Sequence, residues 1–258
     1  MACRLAFLLL LLLVPPSPAV AGALQTGETG RVVAVVDGDT LRLDSGIEVR
    51  LVGIQAPKLP LDRPNFKQWP LADEAKAVLQ RLALGRQVRL GYGGLRRDRY
   101  GRALAHLHAE DGLWLQGQLL AEGMARVYSF RDNRALVAEM LAEEAVARAN
   151  GRGIWGHPYY RVLAADEAGA HVDSFQLVEG LVLDAAVVGG RLYLNFGPDW
   201  KTDFTIGVDR RDLRLFERAG SDYLQWRGKR LRVRGWIDTW NGPYVRATHP
   251  EQIEVLAE

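Results

Sequence analysis

The chain has 258 residues, of which 48% are hydrophobic and 25% are charged. This composition is typical of a globular protein and excludes a disordered chain, a collagen-like chain and a membrane protein with several spans. The 33 Lys and Arg residues nearly balance the 31 Asp and Glu residues, so the net charge of +2 does not by itself indicate a polyanionic partner. The single cysteine, Cys3, excludes a disulfide scaffold, and the length predicts one or two domains.

Residues 1–22 are typical of a signal peptide. Arg4 precedes an uncharged apolar run at positions 5–14, and Ala19-Val20-Ala21 matches a small-residue cleavage site. The run is shorter than the roughly 20 residues that a membrane-spanning helix needs. We expect the mature chain to be exported to the periplasm or the medium, with no membrane span and no cysteine. An uncleaved N-terminal anchor is the alternative.

The first half of the chain predicts a barrel with added helices. Turn signals at Asp37-Gly38 and Ser45-Gly46 separate three short apolar segments, and later segments show helical spacing of their apolar residues. The predicted strands are Gly30–Val36, Asp39–Asp44, Ile47–Gly53, Gln87–Leu90 and Ala103–His108, and the predicted helices are Leu71–Leu84, Leu113–Glu122 and Ala135–Ala149.

The second half repeats the order of three strands, a helix and two strands. The predicted strands are Gln176–Leu183, Arg191–Phe196, Asp203–Val208, Arg230–Trp236 and Tyr244–Ala247, with a short helix at Asp212–Arg218. This order fits a five-stranded OB-type barrel. The fold class expected for the whole chain is mainly β with helices (α+β), with a larger barrel followed by a smaller OB-like one. A polar stretch at 161–170 is the expected boundary between them.

Two carboxylates and two arginines are the main candidates for chemistry in the first half. Asp39, in the turn Asp37-Gly38-Asp39-Thr40, is a hard oxygen ligand suited to Ca²⁺, although Asp-Gly is also a good turn by itself. Arg50 lies on the third predicted strand, and Arg102 lies in the segment Asp98–Leu104. Guanidinium groups near a metal carboxylate are typical of a phosphodiester site, because they hold phosphate oxygens while the metal neutralises developing charge.

These segments resemble the staphylococcal nuclease (thermonuclease) family. The match comprises D-G-D-T at 37–40, R-L-x-G-I-x-A-P at 50–57 and D-x-Y-G-R-x-L-A at 98–105, with Gly153-Ile154-Trp155 near the end, and it covers roughly 28–157. The resemblance implies an OB barrel with added helices that hydrolyses DNA and RNA with Ca²⁺. It places Asp39 at a metal carboxylate and Arg50 and Arg102 at the two catalytic arginines.

The chain departs from the family pattern at two acidic positions. Gln55 stands where the family has a second metal carboxylate, and Lys58 stands where it has the glutamate that activates water. An amide is a weak calcium ligand, and a protonated lysine repels a metal and cannot act as a base. Lys58 would instead attract phosphate and is predicted to bind substrate. Tyr100, in the segment of Arg102, is also predicted to bind substrate. The carboxylates Asp37, Glu48, Asp62, Asp73 and Glu74 are possible substitute bases, and no spacing rule selects among them.

The second half carries aromatic and basic residues that fit either a nucleic-acid surface or ordinary structure. Trp200, Trp226, Trp236 and Trp240, with Tyr193, Phe196 and Tyr244, would form a base-stacking platform or pack in the core. Arg230, Arg232 and Arg234 alternate along one strand and would follow phosphates or form a solvated face.

These observations predict an exported, thermonuclease-like protein that binds nucleic acid, most readily single-stranded DNA or RNA. Residues 28–157 are the predicted nuclease-like domain and residues 171–258 the OB-like domain, itself a candidate for nucleic-acid binding. Hydrolysis through a modified, weakened calcium site is one possibility. The alternative is a catalytically inactive binding or protein-interaction module of the envelope.

Overall fold

The structure, a computed structural model, describes residues 24–256. The predicted signal peptide at 1–22 and Cys3 lie outside the described residues. Nothing in the described range is a helix long and apolar enough to cross a membrane.

Five strands of the first half close into a barrel. They are β1 (Gln25–Asp37), β2 (Thr40–Leu43), β3 (Glu48–Leu51), β5 (Gln87–Tyr92) and β6 (Ala103–Ala109). The pairing order is β1-β2-β3-β6-β5, and only β3 and β6 run parallel. The first strand is longer than predicted because its two ends pair with different strands, β5 and then β2. Alternating apolar residues fill the barrel, as their burial shows.

Three helices and a small ribbon surround this barrel. They are α1 (Ala72–Ala83), α2 (Leu115–Ala121) and α3 (Val137–Ala149), with β4 (Gly53–Gln55) paired to β7 (Arg126–Tyr128). All three helices were predicted to within a few residues. The ribbon was not predicted, because Gly53 has a positive φ of 83° that turns the chain between β3 and β4. This turn separates Arg50 on β3 from Gln55 on β4.

The second half of the chain forms a curled sheet. Its strands pair in the same order as those of the barrel. Its strands are β8 (Leu163–Ala164), β9 (Ser174–Leu181), β10 (Asp184–Val188), β11 (Arg191–Asn195), β12 (Thr205–Val208), β13 (Arg230–Thr239), β14 (Pro243–Ala247) and β15 (Ile253–Val255), with α4 (Arg210–Arg218) after β12. The order is β10-β11-β12-β14-β13-β9, and β12 and β14 run parallel as β3 and β6 do. The expected fold class is confirmed. The predicted strand Gln176–Leu183 is one arm of a broken strand whose other arm, β10, was missed.

A buried ion pair joins the second sheet to helix α3 of the first half. Arg234 on β13 donates to both carboxylate oxygens of Glu144 on α3, at 3.0 and 2.9 Å, and to Glu254 at 2.5 Å. Arg234 is only 1% exposed and Glu144 is fully buried. Arg232 is paired with Glu179 and Glu254. Of the two alternatives for this strand, a phosphate-binding stripe and a solvated face, neither holds for Arg234, which is buried, and Arg232 and Arg234 both bind carboxylates of the protein.

Candidate functional site

The turn between β1 and β2 is enclosed by its neighbours. A Cβ atom on Gly38 would lie 2.7 Å from the Cβ of Ala56 and 2.8 Å from the Cβ of Ala75 on α1, so only glycine fits. Asp37 accepts a hydrogen bond from the Asp39 amide at 3.0 Å, which holds the turn. The packing against Ala75 keeps solvent away from Asp39, which is completely buried.

The ammonium group of Lys58 binds both oxygens of the Asp39 carboxylate. Its Nζ lies 2.7 Å from Oδ1 and 2.6 Å from Oδ2 of Asp39, and 3.6 Å from Oδ2 of Asp37. The Ala56 amide donates to Asp39 Oδ2 at 2.7 Å. Burial opposes the ionisation of Asp39, but Arg50 and Lys58 outweigh it and lower the pKa of Asp39 to about 2. Burial raises the pKa of Asp37, with a further contribution from the charge of Asp39.

Arg50 is held by the protein around it. Its Nη2 lies 3.2 Å from Asp39 Oδ2, and its terminal nitrogens donate to the carbonyl oxygens of Leu51 and Ile54 at 2.8 Å. Its side chain is 14% exposed. The positive φ at Gly53 turns the chain so that both carbonyl groups face the same guanidinium. Arg50 is therefore an anchored cation that presents only part of its fork to solvent.

Arg102 and Tyr100 lie on the more open side of the site. Arg102 Nε and Nη2 both lie 2.7 Å from Asp98 Oδ2, and Asp98 also accepts the amides of Tyr100 and Arg102. Partial burial opposes ionisation of Asp98, but the hydrogen bond from Arg102 outweighs it and lowers its pKa. Tyr100 is 69% exposed, and the guanidinium groups of Arg99 and Arg102 lie 4.8 and 5.5 Å from its ring centre.

One groove brings these residues together. A depression of about 480 Å³ is lined by Arg50, Arg99, Tyr100 and Arg102, and also by Phe130. A second depression is lined by Arg97, Tyr100 and Arg102. Lys58 and Gln55 line neither depression, because Lys58 is bound to Asp39 and Gln55 is buried. The structure thus places Arg50, Tyr100 and Arg102 together at a surface and gives Lys58 a partner other than the phosphate we expected.

Gln55 contacts an arginine that the sequence did not indicate. Its Oε1 accepts from Arg126 Nε at 3.0 Å and from Arg126 Nη2 at 2.8 Å. Arg126 is buried, and burial lowers its pKa to about 10. Its guanidinium lies 4.7 Å from the ring centre of Phe175, which belongs to the second sheet. No local signal pointed to Arg126, because β4 and β7 meet only in the folded chain.

Comparisons with known proteins identify the family of this chain. A family model described as staphylococcal nuclease homologue matches residues 48–157. An uncharacterized endonuclease of Escherichia coli O157:H7 is 36% identical over 129 residues, which is 49% of this chain and 76% of the relative. The chain belongs to the staphylococcal nuclease family. Thermonucleases of Staphylococcus hyicus and Staphylococcus intermedius are 29% and 32% identical, over 50% and 46% of this chain and 77% and 72% of theirs.

The residues of this family member do not fit a calcium ion at the expected place. Both Asp39 oxygens contact the Lys58 ammonium, and the only oxygen of the Gln55 side chain accepts two bonds from Arg126. Within residues 24–256, no group of three or more His, Cys, Asp or Glu side chains is placed to hold a metal ion. A hard cation such as Ca²⁺ binds several carboxylate and carbonyl oxygens. Here the positive charge beside Asp39 is instead the ammonium group of Lys58.

Two of the possible substitute bases lie at the site. Asp37 contacts Lys58, and Glu48 lines the second depression with Tyr100 and Arg102 while it pairs with Arg42. Asp73 accepts a hydrogen bond from Gln68, and for Asp62 and Glu74 the structure shows no contact with Asp39 or Lys58. Proximity in three dimensions therefore reduces the five candidates to Asp37 and Glu48, of which only Asp37 contacts Lys58.

Proposed function

We propose that this chain binds nucleic acid through the groove of Arg50, Tyr100 and Arg102, and that Lys58 replaces calcium-dependent hydrolysis with a permanent internal ion pair. The nuclease-like domain would be residues 28–157, and the OB-like domain residues 171–258. The observation that carries this proposal is the pair of contacts from Lys58 Nζ to Asp39, at 2.7 and 2.6 Å.

The groove keeps the features that bind a phosphate chain. Arg99 and Arg102 flank an exposed aromatic ring, so cationic groups for phosphate and a flat face for a base lie side by side. Family membership supports nucleic acid as the ligand, since its relatives are named endonucleases and thermonucleases. Single-stranded DNA or RNA fits best, because only unpaired bases expose a face to Tyr100.

Binding is tested with a labelled single-stranded oligonucleotide at several salt concentrations. We expect affinity to fall steeply with salt, because each phosphate contact releases counterions. R102A should weaken binding roughly 10- to 100-fold, because a charge-assisted hydrogen bond is lost. R81A, which removes an exposed, ion-paired arginine on α1, is the matched control and should bind as wild type. Salt-independent association, with R102A unchanged, would instead favour the protein-interaction module.

The role of Lys58 is tested by K58E and by K58E/Q55D. Wild type should bind no calcium in a calorimetric titration and should not cleave DNA faster with CaCl₂ than with EDTA. K58E removes the ammonium and supplies a carboxylate, so it should bind calcium and gain measurable cleavage, since a general base is worth roughly 10²–10⁴-fold. K67E makes the same charge change at an exposed site and is the control. Calcium-stimulated cleavage by wild type that K58E abolishes would contradict the proposal.

A second candidate function rests on Asp37. Burial and the charge of Asp39 raise the pKa of Asp37 despite the opposing charge of Lys58, and a raised pKa is a feature of a carboxylate that can accept a proton without a metal. If wild type cleaves DNA in EDTA, D37N should abolish that cleavage while leaving oligonucleotide affinity unchanged. Cleavage in EDTA that survives D37N would exclude Asp37 as the base.

We also propose that the chain is exported after removal of residues 1–22. The support is the order of Arg4, the apolar run and Ala19-Val20-Ala21. Mass spectrometry of protein recovered outside the cytoplasm should find an N-terminus near Gly22 or Leu24. Recovery of a chain that keeps Met1 would contradict the proposal.

A further inference from the structure

The second sheet, which curls without closing and is called the second barrel below, carries a groove between two exposed tryptophans. Trp200, in the loop between β11 and β12, is 54% exposed, and Trp240, in the turn between β13 and β14, is 56% exposed. Both line a cavity of about 370 Å³, together with Tyr193 and Asn195 of β11. Large aromatic faces left in solvent on both sides of a groove are unusual for residues that serve only packing.

The other aromatic residues of this half have different partners. Phe196 and Trp226 pack against the core, and Tyr244 is 8% exposed. Trp236 is 48% exposed but lies outside the groove and donates to the Tyr128 hydroxyl. The structure therefore divides the aromatic set predicted from the sequence. Trp200, Trp240 and Tyr193 face a groove, and the remainder stabilise the fold.

A cationic pocket lies next to the aromatic groove. Arg191, Arg210, Arg211 and Arg246 line it with Asp209, and it shares Val188 and Tyr193 with the groove. Asp209 pairs with Arg191 at 2.8 Å and also with Arg246. Arg211 also pairs with Asp212 at 3.6 Å, so four cations face two carboxylates and an excess of positive charge remains there. The Arg191 guanidinium also lies 5.8 Å from the ring centre of Trp240, which joins the cationic and aromatic parts.

We propose that this surface is a second binding site for single-stranded nucleic acid, with bases stacked on Trp200 and Trp240 and phosphates held by Arg191, Arg210 and Arg246. Flat apolar faces beside an excess of cations match a polyanion that exposes its bases. Asn195 and Thr205 add polar groups along the groove wall. A duplex would hide the base faces, and an acidic peptide would leave the two indole faces without a matching group.

The new site lies close to the groove of the first barrel. Arg131 follows Phe130, which lines the first groove, and it pairs with Asp212 on α4 at 3.0 Å. Arg210 and Arg211, at the start of the same helix, line the cationic pocket beside the aromatic groove. A single strand can therefore pass from one barrel to the other, a consequence that rests on the proposed function of the first groove.

The stacking contacts are tested on the full chain with a labelled oligo(dT) strand. W240A and W200A should each weaken binding roughly 5- to 100-fold, because stacking one base on an aromatic ring contributes about 1–3 kcal/mol. W240F and W200F keep an aromatic face and should stay within about threefold of wild type. Thermal unfolding of each variant verifies that the fold is intact.

The phosphate contacts are tested by the salt dependence of the same binding. R210A should weaken binding and reduce the salt slope by about 0.7. R218A, at the far end of α4, makes the same charge change outside the pocket and should leave both quantities unchanged.

Three outcomes would overturn the second site. Wild-type affinity in a folded W200A/W240A double variant would show that the groove takes no base. Equal losses in R210A and R218A would show that only net charge matters. Tighter binding to a duplex of the same length would exclude base stacking. Because R102A tests only the first groove, loss in R102A with none in W240A would refute this inference while supporting the proposed function.

Discussion

The two barrels share one strand order but differ in the turn that joins their first two paired strands. In the first barrel, Gly38 is pressed between Ala56 and Ala75, and the buried Asp39 beside it is paired with Lys58. In the second barrel, the turn contains Gly189 and Gly190, whose φ values are +60° and +78°, and a Cβ on Gly189 would meet no atom within 4 Å. One turn is closed by packing and the other is open to solvent.

This difference shows that the barrel sets positions while the loops decide chemistry. Each barrel places a carboxylate between two cations, Asp39 in the first and Asp209 in the second. Asp39 is fully buried, so its partners compensate a large desolvation penalty. Asp209 is 17% exposed, and its arginines remain near solvent, available to a ligand. The same strand order thus supports an internal ion pair in one barrel and an open cationic surface in the other.

The contact between the barrels should show the largest effect. R234L leaves Glu144 buried without its main partner, so we expect the free energy of unfolding to fall by about 3–5 kcal/mol in denaturant titrations. R230L, on the exposed end of the same strand, should change it by less than about 0.5 kcal/mol. Equal losses in both variants would mean that the Arg234–Glu144 pair does not hold the barrels together.

The two central carboxylates should differ in their contribution to stability. D39N leaves Lys58 and Arg50 facing a neutral amide in a buried site, and we expect a loss of about 3 kcal/mol in the free energy of unfolding. D209N acts on a partly exposed pair and should cost about 0–1 kcal/mol. Chemical denaturation of both variants at pH 7 measures this difference. A larger loss in D209N would reverse the assignment of closed and open sites.

Acidification should weaken both barrels through buried histidines. Burial lowers the pKa of His106 and of His249 to about 4, so the folded state keeps them neutral. The unfolded chain takes up protons from about pH 6.5 downward. Their stabilisation is therefore complete above about pH 6.5 and is lost as the pH falls towards 4, by on the order of 3 kcal/mol for each histidine.

Unfolding free energies at pH 7 and pH 4.5 test this expectation. H249Q should reduce the difference between the two pH values, because it removes the titrating ring that contacts Ser129 across the barrels. An identical difference in wild type and H249Q would contradict the role of His249.

Alanine at the two turns compares the closed turn directly with the open one. G38A places a methyl group against Ala56 and Ala75, and overpacking of this kind costs about 1–3 kcal/mol. G189A has room but adopts a positive φ, which costs about 1 kcal/mol. Shifts in thermal midpoint should follow this order. A G38A variant as stable as wild type would show that the first turn is not closed by packing.

Local patterns determined much of the secondary structure. Helical spacing of apolar residues marked α1, α2 and α3, and alternating apolar residues between turn signals marked most of the barrel strands. The motifs also indicated which residues meet at the site, since Arg50, Tyr100 and Arg102 line one groove. These features depend on residues close together in the chain, so the sequence carries them directly.

The tertiary structure decided which charge faces which partner. Lys58 was expected to attract phosphate, yet it lies on Asp39, nineteen positions earlier. Arg234 was expected on a surface stripe, yet it lies against Glu144, ninety positions earlier. Alternation along a strand shows that residues share a face, but burial of that face depends on what packs against it. Since the energy of a charge depends on burial and on partners brought together by folding, no local pattern in the sequence could assign these pairs.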